Sequence, residues 1–365
     1  MKMKHSLHLT VLCLLACLQT FAQDTIVTMT SKYNLVKIYA EWTGSGSITA
    51  NGVELKNDSE FENEITTTAD SSVILTATGD AQLTVLNCSN NLLTALNVAN
   101  CPELRELYCT LNFLTVLDIS KCTKLKILNC SDNSMTALDV TNCPELRELF
   151  CSSNALTVLD INKCTKLTVL ACSENSLSAL DVTKCTELKG LLFAFNSLTS
   201  IDVTNCTELT DLSCFDNSLT TLDVDNCPEL TRLYCHKNYL TTLDVTNCPE
   251  LMSLYCNNNF LTTLDITNCP ELEYLIAHNQ TPVLPVAKPD GDKLSIKNPI
   301  KLIGAELRIG DLSDNGTYSG DNITWKVQGD SGKVSFRFAT KLPESIKGEP
   351  FSGTVTQPWN SEMGI

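Results

Sequence analysis

The hydrophobic positions of this chain recur with a period of 21 residues. Between Leu83 and Glu271 the same phrase occurs nine times, and a weaker tenth copy follows. Positions 1, 4, 6 and 11 of each copy are apolar, and most of the residues between them are polar. The copies begin at Leu83, Leu104, Leu125, Leu146, Leu167, Leu188, Leu209, Leu230, Leu251 and Leu272. A short fixed period of this kind predicts a solenoid, in which each coil packs only against its neighbours.

Each copy contains two short stretches of alternating polarity. Apolar positions 4 and 6 flank an outward position 5, which predicts a short strand, and stacked copies would form a parallel sheet with strands about 4.8 Å apart. The second half, Leu138, Asp139 and Val140 in the third copy, alternates again and predicts a second extended segment on the opposite side. No stretch shows a sustained period of 3.6, so we expect few helices.

The flanks of the repeats also read as β-structure. Residues 23–82 alternate with period two between turn signals at 44–47 and 51–52, which predicts an N-terminal β cap before the solenoid at 83–286. Residues 287–365 contain five predicted strands, at 294–296, 302–309, 323–327, 334–338 and 351–355, which suggest a β-sandwich-like domain. The predicted fold is therefore mainly β, a solenoid with a parallel sheet between two β-rich ends.

Residues 1–22 resemble an export signal. Lys2 and Lys4 precede an apolar run that is too short to span a membrane as a helix, and a small residue, Ala22, stands at the expected cleavage position. An alternative is a lipid anchor on Cys17. Both alternatives predict an exported protein, secreted or held at the cell surface, with no membrane span.

Charge and composition narrow the classes of function. The net charge of −16 becomes −18 once Lys2 and Lys4 are removed, and so acidic a chain repels nucleic acid. Outside the leader the histidines are His236 and His278, and no set of nucleophile, base and orienting group can be assembled around them. We therefore predict a protein that is not an enzyme and that has no catalytic residues, no cofactor and no metal site.

The pattern LxxLxCxxNxL followed by TxLDV resembles the nested 21-residue leucine-rich repeats of bacteria, sometimes called IRREKO, and more distantly those of the internalins. Phe193 and Ala277 replace cysteine at position 6, and Met135 stands at position 11, but all three remain apolar. The resemblance implies a right-handed curved solenoid, usually extracellular, that binds other macromolecules. It implies no reaction.

Two polar columns accompany the repeats. We expect an asparagine in every copy to bond the backbone of its own and neighbouring turns: Asn91, Asn112, Asn133, Asn154, Asn175, Asn196, Asn217, Asn238, Asn259 and Asn279. Aspartates at position 15, such as Asp139, repel one another and need compensation from backbone N–H groups or from the threonine three residues earlier, such as Thr136. Calcium bound along this column is the alternative.

Cysteine forms two further columns, at positions 6 and 19. Removal of the leader leaves 17 of the 19 cysteines. In an exported protein such numbers suggest disulfides, and stacked thiols would lie within bridging reach. The odd total, and the presence of Phe193 in one column without the loss of a cysteine from the other, favour small apolar core residues instead. Pairing of some cysteines stays open.

Specificity must lie on the outward positions, since the inward ones are used for packing. The candidate binding residues on this face are Tyr108, Phe150, Leu192, Phe195, Phe215, Tyr234 and Tyr255, with His236 and Lys237 beside them. Phe113, Tyr239 and Phe260, at position 10, are expected to be packing residues. An alternative is that the outward rings only cover the sheet.

These features predict a non-catalytic module that binds a protein partner or mediates adhesion. A glycan-binding surface protein and a structural component of the envelope are the alternatives. The sequence does not specify an oligomeric state.

Overall fold

The computed structural model describes residues 24–67, 71–290, 292–303, 306–310, 312–313, 316–319, 322–328, 331–341, 345–349 and 352–360. The predicted export signal lies outside these residues. The described chain falls into two compact units, one up to Leu146 and one from Arg147 onward. The boundaries predicted for the cap, the solenoid and the C-terminal domain stay a prediction. No helix in the described ranges is long and apolar enough to cross a membrane.

The first unit contains one five-stranded sheet and five strands of a second sheet. The five-stranded sheet has the strand order β4-β3-β6-β1-β8. In the second sheet these strands are hydrogen-bonded to one another in the order β5-β2-β7-β9-β10. The strands are β1 Asp24–Ser31, β2 Leu35–Thr43, β3 Ile48–Ala50, β4 Val53–Glu54, β5 Asp58–Thr66, β6 Ser71–Ala77, β7 Gln82–Asn87, β8 Leu93–Asn97, β9 Glu106–Tyr108 and β10 Ile127–Asn129.

The N-terminal strands cover both sides of the first repeat. Strand β2 pairs antiparallel with β7, and β1 pairs antiparallel with β8, the second extended segment of that repeat. Alternate residues of these strands, such as Val36, Ile38 and Val73, are fully buried. The first coil of a solenoid would otherwise expose its apolar end, so this arrangement explains why the residues before the repeats form strands.

The second unit continues the repeats as a parallel sheet of three-residue strands, in the order β11-β12-β13-β14-β15-β16-β18-β25. Each strand occupies positions 3–5 of its repeat, and equivalent residues pair, for example Leu191 with Leu212. The solenoid strands are β11 Glu148–Phe150, β12 Val169–Ala171, β13 Gly190–Leu192, β14 Asp211–Ser213, β15 Arg232–Tyr234, β16 Ser253–Tyr255, β17 Thr263–Asp265 and β18 Tyr274–Ile276.

The core is built from identical columns. Leucines at positions 1 and 4, such as Leu209 and Leu212, are at most 1% exposed, and so are the position-6 residues Phe193 and Cys214. In the second unit the position-6 N–H groups from Cys151 to Cys256 donate to the position-5 carbonyl of the next coil, as from Cys214 to Tyr234 at 2.8 Å. The repeat therefore satisfies its backbone and its apolar positions at the same time.

The second extended segment forms a hydrogen-bonded strand in only two of the described repeats. These are β8 in the first copy and β17 in the ninth, where β1 and β20 pair with it. The alternation of Leu138, Asp139 and Val140 correctly predicts burial of the two apolar residues. The hydrogen bonds from the residue two positions later do not decide which copies form a strand, because Asp265 of β17 accepts them from Thr267 just as Asp139 accepts them from Thr141.

Residues from Lys293 onward form two antiparallel sheets of three strands, β19-β23-β22 and β21-β24-β26. Trp325 of one sheet packs against Phe336 of the other, with ring centroids 6.3 Å apart, which makes this a sandwich-like domain. The strands are β19 Lys293–Lys297, β20 Lys301–Ile303, β21 Glu306–Gly310, β22 Thr317–Ser319, β23 Asn322–Lys326, β24 Ser331–Lys341, β25 Lys347–Glu349 and β26 Ser352–Asn360. The short β22 and β25 were not predicted.

This domain closes the end of the solenoid. Strand β25 adds to β18, and residues along 280–287 bridge to β26. A side chain at Gly348 would meet the Leu275 carbonyl oxygen at 2.1 Å, and one at Gly353 would meet the Gln280 carbonyl oxygen at 1.8 Å. Glycine is therefore required at both contacts. The predicted fold class, a mainly β solenoid with a parallel sheet and β-rich ends, is confirmed.

Candidate functional site

The outward face of the short strands carries most of the predicted binding residues. Tyr108 lies in the first unit, half-buried, with its hydroxyl donating to Glu106 Oε2 at 2.9 Å. The other candidates lie in the second unit. All are half-buried there except Phe195, which is 44% exposed.

Four aromatic residues of the second unit and one histidine form a connected group, which we call the aromatic cluster: Phe195, Phe215, Tyr234, His236 and Tyr255. The rings of Phe195 and Phe215 meet edge to face at 5.0 Å, and Tyr234 and Tyr255 lie 4.8 Å apart. His236 joins the two pairs, stacked on Phe215 at 4.3 Å and 6.4 Å from Tyr255. The described coordinates show no ring contact between Phe150 and this cluster.

The solenoid period brings these rings together. They occupy positions 5, 7 and 8 of successive repeats, and parallel strands in register place equivalent positions about 4.8 Å apart. Phe195 takes a left-handed backbone conformation with φ of 52°. All ten position-8 residues share this conformation, although only Asn90, Asp132, Asp216, Asn258 and Asn279 are of types that favour it. The sequence analysis did not predict this turn.

His236 is the titratable group at the centre of the cluster. Burial, followed by the charge of Lys237, lowers the pKa of its imidazole, while Asp216 acts in the opposite direction. Its Nδ1 is buried and has no hydrogen-bond partner among the described residues. Lys237 Nζ pairs with Asp216 Oδ2 at 2.6 Å and lies 5.9 Å from the centre of the Phe195 ring. The imidazole is therefore neutral at physiological pH.

A groove of about 570 Å³ lies next to the cluster, over strands β12–β15. Gly190 is at its floor, and Leu192, Phe215 and Tyr234 are among its apolar lining residues. An ion pair between Arg232 Nε and Asp211 Oδ1 lies on the same surface. Three of the predicted binding residues thus line one concavity.

The asparagine column binds the backbone as expected. Asn238 Oδ1 accepts a bond from the Leu219 N–H at 2.9 Å, and Nδ2 donates to the carbonyls of Cys214 and Cys235 at 3.0 and 3.1 Å. In the tenth copy the prediction of Asn279 was wrong by one position. Gln280 holds this place, with Oε1 accepting from Leu261 N–H and Nε2 donating to Cys256 and Ala277.

The aspartate column is held by backbone N–H groups, as one of the two predicted alternatives had it, and the added hydroxyl bonds come from residues two positions later. Asp202 Oδ1 accepts bonds from the Thr204 N–H at 3.0 Å and the Thr204 hydroxyl at 2.7 Å. The Thr204 hydroxyl and N–H lower the pKa of Asp202 and outweigh the repulsion from Asp181. The partner is thus two residues later, not three residues earlier. In the described ranges no three His, Cys, Asp or Glu side chains converge as metal ligands.

All 17 cysteines of the repeats are buried free thiols. Burial raises the pKa of Cys151 and Cys256 to about 12. A thiol with so high a pKa is a poor nucleophile, and these residues serve as core packing.

The position-10 aromatic residues are not packing residues as a group. Phe113 is 45% and Tyr239 is 53% exposed, so the prediction for these two was wrong. Tyr239 stacks on Phe260 at 5.9 Å, and Phe113 lies under Lys32 Nζ at 5.1 Å. Position 10 lies between the buried positions 9 and 11, such as Asn238 and Leu240, and therefore faces outward.

A family model described as LRR adjacent matches residues 310–360. Among curated proteins, Internalin H of Listeria monocytogenes serovar 1/2a is 42% identical over 55 residues, which are 15% of this chain and 10% of that protein. The match therefore spans about a tenth of the relative's length.

Many solved structures resemble the chain, and two of them are bacterial leucine-rich-repeat proteins with more than a quarter of their aligned residues identical. A leucine-rich-repeat protein of Leptospira interrogans is 27% identical with a TM-score of 0.50, over 54% of this chain and 55% of that one. The functional domain of InlJ from Listeria monocytogenes, which includes a cysteine ladder, is 26% identical with a TM-score of 0.42, over 76% and 81% of the two chains. The family model, the relative and the 21-residue coils confirm the resemblance to bacterial leucine-rich-repeat proteins of the internalin type.

Proposed function

We propose that this internalin-like leucine-rich-repeat protein is an exported, non-catalytic module that binds a protein partner through the outward sheet face of its second unit. The observation that carries the proposal is the aromatic cluster. Four rings and an imidazole in mutual contact, of which one is exposed and the others are half-exposed, supply the rigid aromatic surface on which protein interfaces depend.

A non-catalytic role agrees with the placement of the histidines. His236 is stacked between rings, and His278 Nε2 lies 3.2 Å from Glu349 Oε2. Neither histidine is hydrogen-bonded to a serine, threonine or cysteine in the portion of the chain that the structure describes. Residues 1–22 are the proposed export signal, cleaved after Ala22, with a lipid anchor on Cys17 as the alternative form.

The test compares binding of purified protein to an array of purified extracellular protein domains and to a glycan array. We expect saturable binding to a protein, weakened about tenfold or more when Tyr234 and Tyr255 are both replaced by alanine. The matched control replaces Tyr239 and Phe260, a second aromatic pair of the same unit, and should leave binding unchanged. Binding to glycans alone, or equal loss in both variants, would contradict the proposal.

A further inference from the structure

The groove beside the aromatic cluster is lined in part by a strand residue that has no side chain. Gly190 is at position 3 of the sixth repeat and pairs with Val169 on one side and Asp211 on the other. Position 3 carries a side chain in every other copy: Val85, Glu106, Ile127, Glu148, Val169, Asp211, Arg232, Ser253 and Tyr274. Gly190 lines the same concavity as Leu192, Phe215 and Tyr234.

The backbone does not require glycine at this position. A Cβ on Gly190 would lie 3.7 Å from Leu192 Cδ1 and 3.7 Å from Val169 Cγ1, which is ordinary van der Waals contact. The φ angle of Gly190 is also not positive, so its backbone conformation is open to other residues. Glycine weakens a strand and often marks a point where a ligand approaches the backbone. The space above Gly190 therefore needs an explanation outside the fold.

The charges around the groove already have partners. Arg232 pairs with Asp211, and Lys189 Nζ lies 3.6 Å from Glu208 Oε2. The positive and negative charges around the groove therefore balance locally, although the whole chain has a net charge of −16. A charged group that entered it would lose water without gaining an unpaired counter-charge, whereas a neutral apolar group leaves the existing pairs intact.

The aromatic wall is held in place before any ligand arrives. The rings of Phe215 and Phe195 meet edge to face, and the Phe215 ring is also stacked on the imidazole of His236. Tyr234 is in contact with Tyr255. A wall whose rings are already ordered loses little conformational freedom on binding, which favours insertion of a flat or branched apolar side chain beside it.

We propose that the groove over Gly190 receives a neutral aromatic or aliphatic side chain of the protein partner, as the anchor of the interface. This inference rests on the proposed function and identifies the chemistry of the partner at one point. Phe215 and Tyr234 pack against the anchor, and Gly190 allows it to reach the backbone of the sheet.

The test fills the groove without disturbing the fold. Gly190→Val places a side chain that already occurs at this position in Val169. The matched control, Ser253→Val, places the same valine side chain at position 3 of the ninth repeat, outside the groove lining. Circular dichroism and thermal melting should show both variants folded, with Gly190→Val at least as stable as the wild type.

The probe is a displayed library of random peptides, selected on the wild-type protein with the Gly190→Val variant as counter-selection. We expect enriched peptides to share one neutral aromatic or aliphatic residue. The synthetic peptides should bind wild type and Ser253→Val alike, and bind Gly190→Val about tenfold or more weakly.

Enrichment of no discriminating peptide, or equal affinity for Gly190→Val, would overturn the proposal. A neutral glycan that binds wild type and is lost in Gly190→Val would also overturn it, by assigning the groove to a sugar. If a protein target depends on Tyr234 and Tyr255 but binds Gly190→Val normally, the proposed function stands and only the anchor groove fails.

Discussion

The imidazole of His236 is stacked on the ring of Phe215, with centroids 4.3 Å apart and planes 10° from parallel. Burial lowers the pKa of His236, so the neutral form contributes stability above the ordinary value of about 6.5. This contribution is lost as the pH falls through the lowered pKa. We expect Phe215→Ala to raise the pKa of His236, measured by NMR titration, because it uncovers the ring. Phe113→Ala is the control and should change nothing.

Removal of one side chain of the asparagine column should strongly lower the stability of the solenoid. Asn238 is 4% exposed and bonds three backbone groups, two in the preceding coil and one in its own. Asn238→Ala leaves these groups unpaired in the core, which should lower the free energy of unfolding by about 2–4 kcal/mol in urea titrations. Asn257→Ala, on a half-buried position, should stay within about 0.5 kcal/mol of wild type. A small effect at Asn238 would mean that the backbone groups find other partners.

The aspartate column can be tested one threonine at a time. Thr204→Ala should raise the pKa of Asp202 toward its usual value in a carboxyl NMR titration, because both the hydroxyl bond and the local turn weaken. In the wild type the corresponding stability is present above about pH 4 and is lost as the pH falls through the lowered pKa. Thr199→Ala, three residues before Asp202, should leave the titration unchanged. If Thr199→Ala raised the pKa of Asp202 and Thr204→Ala did not, the threonine three residues earlier would be the partner of Asp202.

Position 8 offers a stabilising substitution. Leu111 has φ of 55° and is 52% exposed. Its left-handed backbone conformation is therefore strained, and burial of its side chain compensates little of that strain. Leu111→Asn introduces a residue that tolerates this conformation and should raise stability by about 1 kcal/mol. Thermal melting measures the change. Val116→Asn, at an exposed position of the same repeat without positive φ, should bring no gain.

The cysteines should be inert in the native protein. All 17 in the repeats are buried, and burial raises the pKa of thiols such as Cys151 to about 12. A thiol-reactive dye should label them only after unfolding. Addition of a reductant should leave the Tm unchanged, and a lowered Tm would show that disulfides contribute to the native state.

Periodicity was sufficient to predict most of the fold. Leu233 and Cys235 are buried and Tyr234 between them is half-buried on the outward face, because side chains along a strand alternate between two faces. Errors arose where local turn chemistry replaced alternation. Phe195, at position 8, takes a left-handed conformation that the pattern did not predict. In the tenth copy the asparagine column was assigned to Asn279, which is at position 8, whereas position 9 is Gln280 and its amide makes the equivalent backbone bonds.

The sequence by itself determined the repeat, its inward residues and the set of outward positions, because each of these depends on spacing within one coil. Only the tertiary structure decided which outward residues meet. Stacking of coils in register brings Phe195, Phe215 and His236 from three repeats into contact. It also brings Gly190 into the lining of the groove. Such contacts join different coils, and a pattern within a single repeat cannot specify them.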